Sequence, residues 1–165
     1  MTYAIVVMGV SSCGKTTVGQ TLAATMSCKF YDGDDFHPSE NITKMIQGIP
    51  LNDQDRQPWL ERLRDLIAEH IEHDRSIVLA CSALKKRYRN LLSEGNTGLQ
   101  FVYLNGNFDL IWQRMVAREG HYMKSDMLQS QFDALESPSS QEAITVHIDQ
   151  PMSNIVQEII GKLTR

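Results

Sequence analysis

Tyr3-Ala4-Ile5-Val6-Val7-Met8-Gly9-Val10-Ser11-Ser12-Cys13-Gly14-Lys15-Thr16-Thr17 joins a short apolar run to a glycine-bearing turn and then to an amphipathic segment. A nearly continuous apolar run of this length suits a strand buried on both faces. From Thr16 to Met26, Val18, Leu22 and Met26 fall on one stripe, the spacing of a helix with a single apolar face. Between the two, Gly9 to Thr16 fits G-x-x-x-x-G-K-[ST] in full, and it sits at the strand–helix junction that this motif requires. Glycines let the backbone wrap closely around phosphate oxygens, and N–H groups at the helix start point toward them. Gly9, Ser11, Ser12, Cys13, Gly14, Lys15, Thr16 and Thr17 are therefore the expected nucleotide contacts. Lys15 reaches the β- and γ-phosphates of ATP or GTP in this reading, and the Thr16 hydroxyl sits on Mg²⁺. Cys13 occupies a free position of the motif; its place before a helix is one that can lower a thiol pKa.

Working outward, the same alternation continues. Strands are expected at Ser76–Cys81, Leu99–Leu104 and Ala143–Ile148, with a weaker one at Lys29–Tyr31. Helical stripes run through Trp59, Leu63, Leu66, Ile67 and Ile71, and through Ile155, Val156, Ile159, Ile160 and Leu163. Pro38 reads as the first residue of a further helix that stops near Gly48. Such βα alternation predicts an α/β, three-layer fold: a mainly parallel sheet of about five strands flanked by helices. No internal repeat, low-complexity tract or linker interrupts the 165 residues, so one domain over 1–165 is expected.

Composition narrows the function classes. A net charge of −4 argues against a general nucleic-acid binder, while leaving room for one local basic pocket. Cys13, Cys28 and Cys81 form neither a disulfide framework nor a zinc spacing, which points to a reducing compartment. The apolar run at Ala4–Met8 is too short for a secretory core and lacks a basic lead-in. With no run long enough to cross a bilayer, a cytoplasmic protein without a membrane partner is expected.

Phe30-Tyr31-Asp32-Gly33-Asp34-Asp35 sets three carboxylates at the end of the second strand, where ligands collect in open α/β folds. Beside a phosphate loop, phosphoryl transfer needs one carboxylate to help hold Mg²⁺ and another to orient and deprotonate the attacking hydroxyl. Asp32 takes the first role and Asp34 the second, with Asp35 left to the solvent. Taken without the loop, the pattern reads equally well as an acidic turn.

The next stretch resembles a particular family. His37-Pro38, Asn41, Lys44-Met45, Gly48, Pro50-Leu51, Asp53, Asp55-Arg56 and Pro58-Trp59-Leu60 are similar to the block that follows D-G-D in gluconokinases. Cys81-Ser82-Ala83-Leu84-Lys85 with Tyr88-Arg89 resembles that family's C-S-A-L-K-x-x-Y-R segment. Tyr103-Leu104, Arg118, Gly120-His121 and Asp149-Gln150-Pro151 continue in the same order, so the likeness covers almost the whole chain. Departures are small: Ser12-Cys13 stands where Gly-Ser is common, and Tyr122 where Phe is common. The resemblance implies ATP-dependent phosphorylation of D-gluconate on its terminal hydroxyl, a nucleoside monophosphate kinase-like P-loop fold, and often a homodimer. Gluconate is an anion with a row of hydroxyls, so Arg56, Lys85 and Arg89 become candidates for its charge, and His37 and Asp34 for its hydroxyls.

Arg114 and Arg118 lie four residues apart on one helix face, followed by a polar, glycine-bearing stretch at Glu119–Ser125. The resemblance implies a lid there, over about 119–136. Within it Arg118 would neutralise the phosphoryl group in flight, Arg114 would assist the nucleotide and His121 would meet the substrate. Gln150 and Pro151 correspond to the family's adenine-contacting loop. Two other readings compete. A shikimate-like or nucleoside monophosphate kinase shares the loop, the aspartates and the lid, but not the Asn41–Leu60 or Ser82–Arg89 segments. A nucleotide-dependent switch that reads guanine should carry N-K-x-D, and no such string occurs.

Overall fold

The computed structural model describes residues 2–117 and 125–164. Each apolar run forms a strand: β1 Ala4–Met8, β2 Lys29–Asp32, β3 Ile77–Ala80, β4 Gln100–Asn105 and β5 Ala143–His147. Between them lie α1 Lys15–Thr25, a 3₁₀ turn at Gly33–Phe36, α2 Ser39–Ile46, α3 Asp53–Glu72 and α4 Lys86–Ser93. After β4 come α5 Phe108–Ala117, α6 Ser125–Ala134 and, beyond β5, α7 Met152–Lys162. The strands form one parallel sheet in the order β2-β3-β1-β4-β5. The three-layer α/β expectation therefore holds, with five strands.

Alternation of side chains across each strand builds two cores. Ile5 and Val7 of β1 face one cluster with Leu22 of α1, Ile111 of α5, Leu128 of α6 and Ile155 and Ile159 of α7. Ala4, Val6 and Met8 face the other, with Trp59, Leu63 and Ile67 of α3 and Leu92 of α4. All five residues of β1 are buried, which is why its run is apolar without alternation. The chain leaves β1 toward β2 and leaves β4 toward β5, so a crevice opens at the carboxyl ends of β1 and β4.

Local chemistry sets several boundaries. Asn52 and Asp55 form a reciprocal capping box at the start of α3, each side chain bonding the other's backbone N–H. Pro38 is the cap of α2 rather than its first residue, so the helix starts at Ser39, one position later than the sequence suggested. Residues 125–134, inside the stretch read as a lid, form α6, anchored by a fully buried Leu128.

Candidate active site

The phosphate loop connects β1 to α1 and has an unusual backbone. Gly9 has φ +148°, and a Cβ there would stand 2.7 Å from Cys13 Sγ and 3.1 Å from the Leu104 carbonyl, so only glycine fits. Ser12 (φ 63°) and Gly14 (φ 101°) complete the wrap in the left-handed region. The Gly9 N–H donates to the Ser82 carbonyl at 3.2 Å, tying the loop to the end of β3. Lys15 Nζ donates to the carbonyls of Gly9 (3.1 Å) and Val10 (3.0 Å), so its ammonium lies across the loop's mouth. Val18 is the first residue of α1 whose N–H bonds back, to Gly14 at 2.8 Å. The N–H groups of Gly14, Lys15, Thr16 and Thr17 thus have no acceptor within the helix, the arrangement that receives an anion.

Cys13 behaves otherwise than its position before a helix suggested. Its side chain is 1% exposed and packs in the first core cluster, and burial pushes the thiol pKa up against the opposing pull of Lys15. Helix-end stabilisation of a thiolate loses to desolvation here, so only the backbone of Cys13 can face a phosphate. Ser11 carries a contact that the sequence gave no sign of. Its N–H donates to Gln131 Oε1 at 2.7 Å, and Gln131 Nε2 donates to the Ser11 hydroxyl at 2.9 Å. The partners are 120 residues apart, beyond any local pattern.

Asp32 and Asp34 stand at the end of β2. Asp32 Oδ1 accepts from the Asp34 N–H at 3.0 Å and so caps the 3₁₀ turn. Gly33 allows this end of β2 to close on β3: a Cβ there would lie 2.7 Å from the Ala80 carbonyl. Trp59 Nε1 donates to the Gly33 carbonyl at 2.8 Å and fixes the turn from α3. The Asp34 side chain stays open to solvent, yet the surrounding protein raises its pKa, and the charges of Asp32 and Asp35 add to this while Lys15 opposes it. The Cys81 thiol, fully buried and pushed up to about 12 chiefly by desolvation, also feels Asp34, Lys15 and Asp32. These three charges therefore gather around one point at the carboxyl ends of β1, β2 and β3.

Beyond them lies a second group. The His37 ring stacks on Trp59 with centroids 4.2 Å apart and planes 16° from parallel. Its Nδ1 accepts from the buried Asn41 amide at 3.2 Å, which assigns the ring proton to Nε2. Burial and the nearby Arg56 charge lower its pKa, so the ring is neutral near pH 7. Arg56 donates to the Tyr88 hydroxyl at 3.3 Å, and its guanidinium sits 5.6 Å from that ring's centroid. Lys85 Nζ lies 5.8 Å from the same centroid and 3.6 Å from Asp53. Asp53 also accepts from Tyr88 and, at 2.7 Å, from Arg87. The structure thus brings Arg56 and Lys85 together through Tyr88 and Asp53, two residues of the family-like segments to which the sequence gave no role, while His37 lies near enough to feel the Arg56 charge.

Arg89 does not join that group. It is 2% exposed, and its guanidinium is committed to the carbonyls of Ala83 (2.8 Å), Leu84 (3.1 Å) and Glu136 (2.7 Å) and to the Glu142 carboxylate (2.5 Å). Ala83 has φ 44°, a costly conformation for alanine that these bonds hold in place. On the nucleotide side, Arg114 donates to the Ile148 carbonyl at 2.8 Å and its charge reaches Cys13. Gln150 turns its amide onto its own loop, donating to the His147 carbonyl at 2.7 Å and to Glu158 at 3.2 Å, and Pro151 caps α7. Arg118 and His121 lie outside the described residues.

Comparison with known proteins agrees with this architecture. Residues 11–164 match the family model described as shikimate kinase. The thermoresistant gluconokinase of Escherichia coli (strain K12) is 46% identical over 157 residues, covering 94% of this chain and 90% of its own. A solved gluconokinase structure from Sinorhizobium meliloti 1021 superposes with a TM-score of 0.89 at 42% identity, over 98% of this chain and 91% of that one. Shikimate kinase from Aquifex aeolicus vf5, at 19% identity and a TM-score of 0.64 over 97% and 95% of the two chains, shares the fold. High identity along nearly the full length, together with the phosphate loop facing paired aspartates, means that the chain belongs to the gluconokinase family, within the broader shikimate kinase-like fold.

Proposed function

We propose that this protein transfers the γ-phosphoryl group of ATP to the terminal hydroxyl of D-gluconate, giving 6-phospho-D-gluconate and ADP. The observation that carries the reading is that Lys15, Asp34 and Asp32 gather at one set of strand ends, that neutral His37 follows Asp34 by three residues within reach of the Arg56 charge, and that Arg56 and Lys85 share the Tyr88 ring. One side suits a triphosphate and the other a polyhydroxy carboxylate.

In this reading the gluconate hydroxyl attacks the γ-phosphorus in line. The new O–P bond forms as the bond from the γ-phosphorus to the β,γ-bridging oxygen breaks, and the hydroxyl proton passes to Asp34. A raised pKa makes Asp34 a better acceptor than an ordinary aspartate, provided it is ionised. Lys15 leaves the Gly9 and Val10 carbonyls to meet the β- and γ-phosphates, whose other oxygens take the N–H groups at the start of α1. The exposed Thr16 hydroxyl and the Asp32 carboxylate are hard oxygen donors of the kind that suit Mg²⁺, and they would hold it beside the phosphates. Bound there, Mg²⁺ would neutralise charge on the transferring phosphate. Arg56 and Lys85 supply the charge for the gluconate carboxylate, and neutral His37 offers Nε2–H to an oxygen of the substrate. Arg89 holds the strained Ala83–Lys85 turn that presents Lys85. Arg118 and His121 retain the lid roles implied by the family, over a single domain of a cytoplasmic homodimer. No helix among the described residues is long and apolar enough to cross a membrane.

ADP release with ATP and Mg²⁺ is the test, run against D-gluconate, other aldonates, shikimate, AMP and no acceptor. Turnover confined to gluconate supports the reading. Turnover with shikimate instead discards the substrate and keeps the kinase.

A further inference from the structure

Gln131 sits on α6, a helix held by its fully buried Leu128 and by Phe132, whose ring centroid lies 5.7 Å from that of Phe108. From this fixed support its amide reaches the phosphate loop and engages Ser11 twice. Oε1 accepts the Ser11 N–H at 2.7 Å, and Nε2 donates to the Ser11 hydroxyl at 2.9 Å. The loop needs such support. Ser12 is held at φ 63°, Gly9 and Gly14 also lie at positive φ, and the Cys13 N–H turns back onto the Val10 carbonyl at 3.3 Å. A backbone held in sparsely populated conformations keeps its shape only when its surroundings over-determine it. The contact leaves the phosphate-receiving N–H groups at the start of α1 untouched, so it braces the loop without occupying the place of the phosphates.

We propose that Gln131 is a positioning residue for ATP: its amide braces Ser11 and holds the phosphate loop in its phosphate-receiving shape before the nucleotide arrives. The inference rests on the kinase reading above for its catalytic consequence, but its binding consequence is independent of the acceptor. An unbraced loop must be ordered when ATP binds, and that ordering weakens ATP without touching the gluconate side.

The test uses the full chain with Gln131→Met, which keeps side-chain bulk and removes both hydrogen bonds. ATP affinity is measured by calorimetry without acceptor, and KM for ATP and for gluconate by ADP release. The variant is expected to bind ATP about tenfold more weakly and to raise the KM for ATP alike, as for two modest hydrogen bonds. Gluconate KM stays within about twofold, since none of its candidate ligands among the described residues bonds to Gln131. Ser11→Ala removes only the hydroxyl half of the contact and gives about a threefold rise. Unchanged ATP affinity in Gln131→Met overturns the proposal. So does tighter ATP binding, which would make the amide a competitor that phosphate displaces, and so does an equal rise in both KM values, the mark of general loosening. A wild-type protein that binds ATP but does not phosphorylate gluconate sinks the proposed function and leaves the brace testable by calorimetry.

Discussion

Arg89→Ala separates a buried strut from a substrate ligand. The guanidinium is 2% exposed and serves three carbonyls and the Glu142 carboxylate. Removing it strands the Ala83 and Leu84 carbonyls and releases the strained backbone at Ala83, while Glu142, 20% exposed, finds water. Breaking a buried charged pair costs about 3–5 kcal/mol, and the solvent access of Glu142 places this case near about 3 kcal/mol. For a chain of this size that loss lowers the melting temperature by about 6–12 °C. It also removes a large share of a total stability of about 5–15 kcal/mol. Thermal and urea unfolding followed by circular dichroism measure the effect, and KM for gluconate is determined on the fraction that remains folded. A melting temperature within about 2 °C of wild type, joined to a large rise in gluconate KM, would refute the reasoning and return Arg89 to the substrate.

Three further outcomes follow from the site. Lys15→Ala abolishes gluconate turnover, because no other described cation crosses the loop's mouth; near-normal kcat would remove Lys15 from its assigned role. Asp34→Asn lowers kcat by about 10²–10⁴-fold. In the wild type, a base of raised pKa is fully ionised only above its folded pKa, so kcat/KM falls as pH drops, with a midpoint above the ordinary aspartate value. A flat acid limb down to the usual carboxylate range contradicts that. Gly33→Ala forces a Cβ to 2.7 Å from the Ala80 carbonyl and pushes the end of β2 away from β3. Turnover falls at least about tenfold, and a fully active Gly33→Ala enzyme argues against the placement of Asp34.

The strands were legible because a buried parallel strand must be apolar on both faces, and Ala4–Met8 and Ile77–Ala80 have no other reason to be so. The loop was legible because its glycines and lysine answer one chemical need. Elements with thin apolar faces were not. Helix α6 buries only Leu128, and α4 buries Tyr88, Arg89 and Leu92, a set that breaks the usual pattern by including a guanidinium. Charge type cannot announce burial, so Arg89 looked like Arg56 until the Ala83 turn and the Glu136–Glu142 segment closed over it. Cys13 shows the same limit: the local helix start was visible in the sequence, whereas the core that holds its thiol was not. Gln131 escaped because amides carry no signature, and its partner lies 120 residues away.

The stack of His37 on Trp59 gives the acceptor pocket its own optical label. The chain has two tryptophans, and Trp59 alone bonds to the aspartate-bearing turn, while Trp112 packs beside Phe108 in the other core layer. An excited indole is quenched by electron transfer to a stacked imidazolium, and much less by the neutral ring. Emission from Trp59 therefore follows both the charge on His37 and any sugar acid that meets its Nε2–H. Titrating the protein with gluconate in a fluorimeter, without nucleotide, reads occupancy of this half of the site directly, and the same experiment in Trp59→Phe is silent.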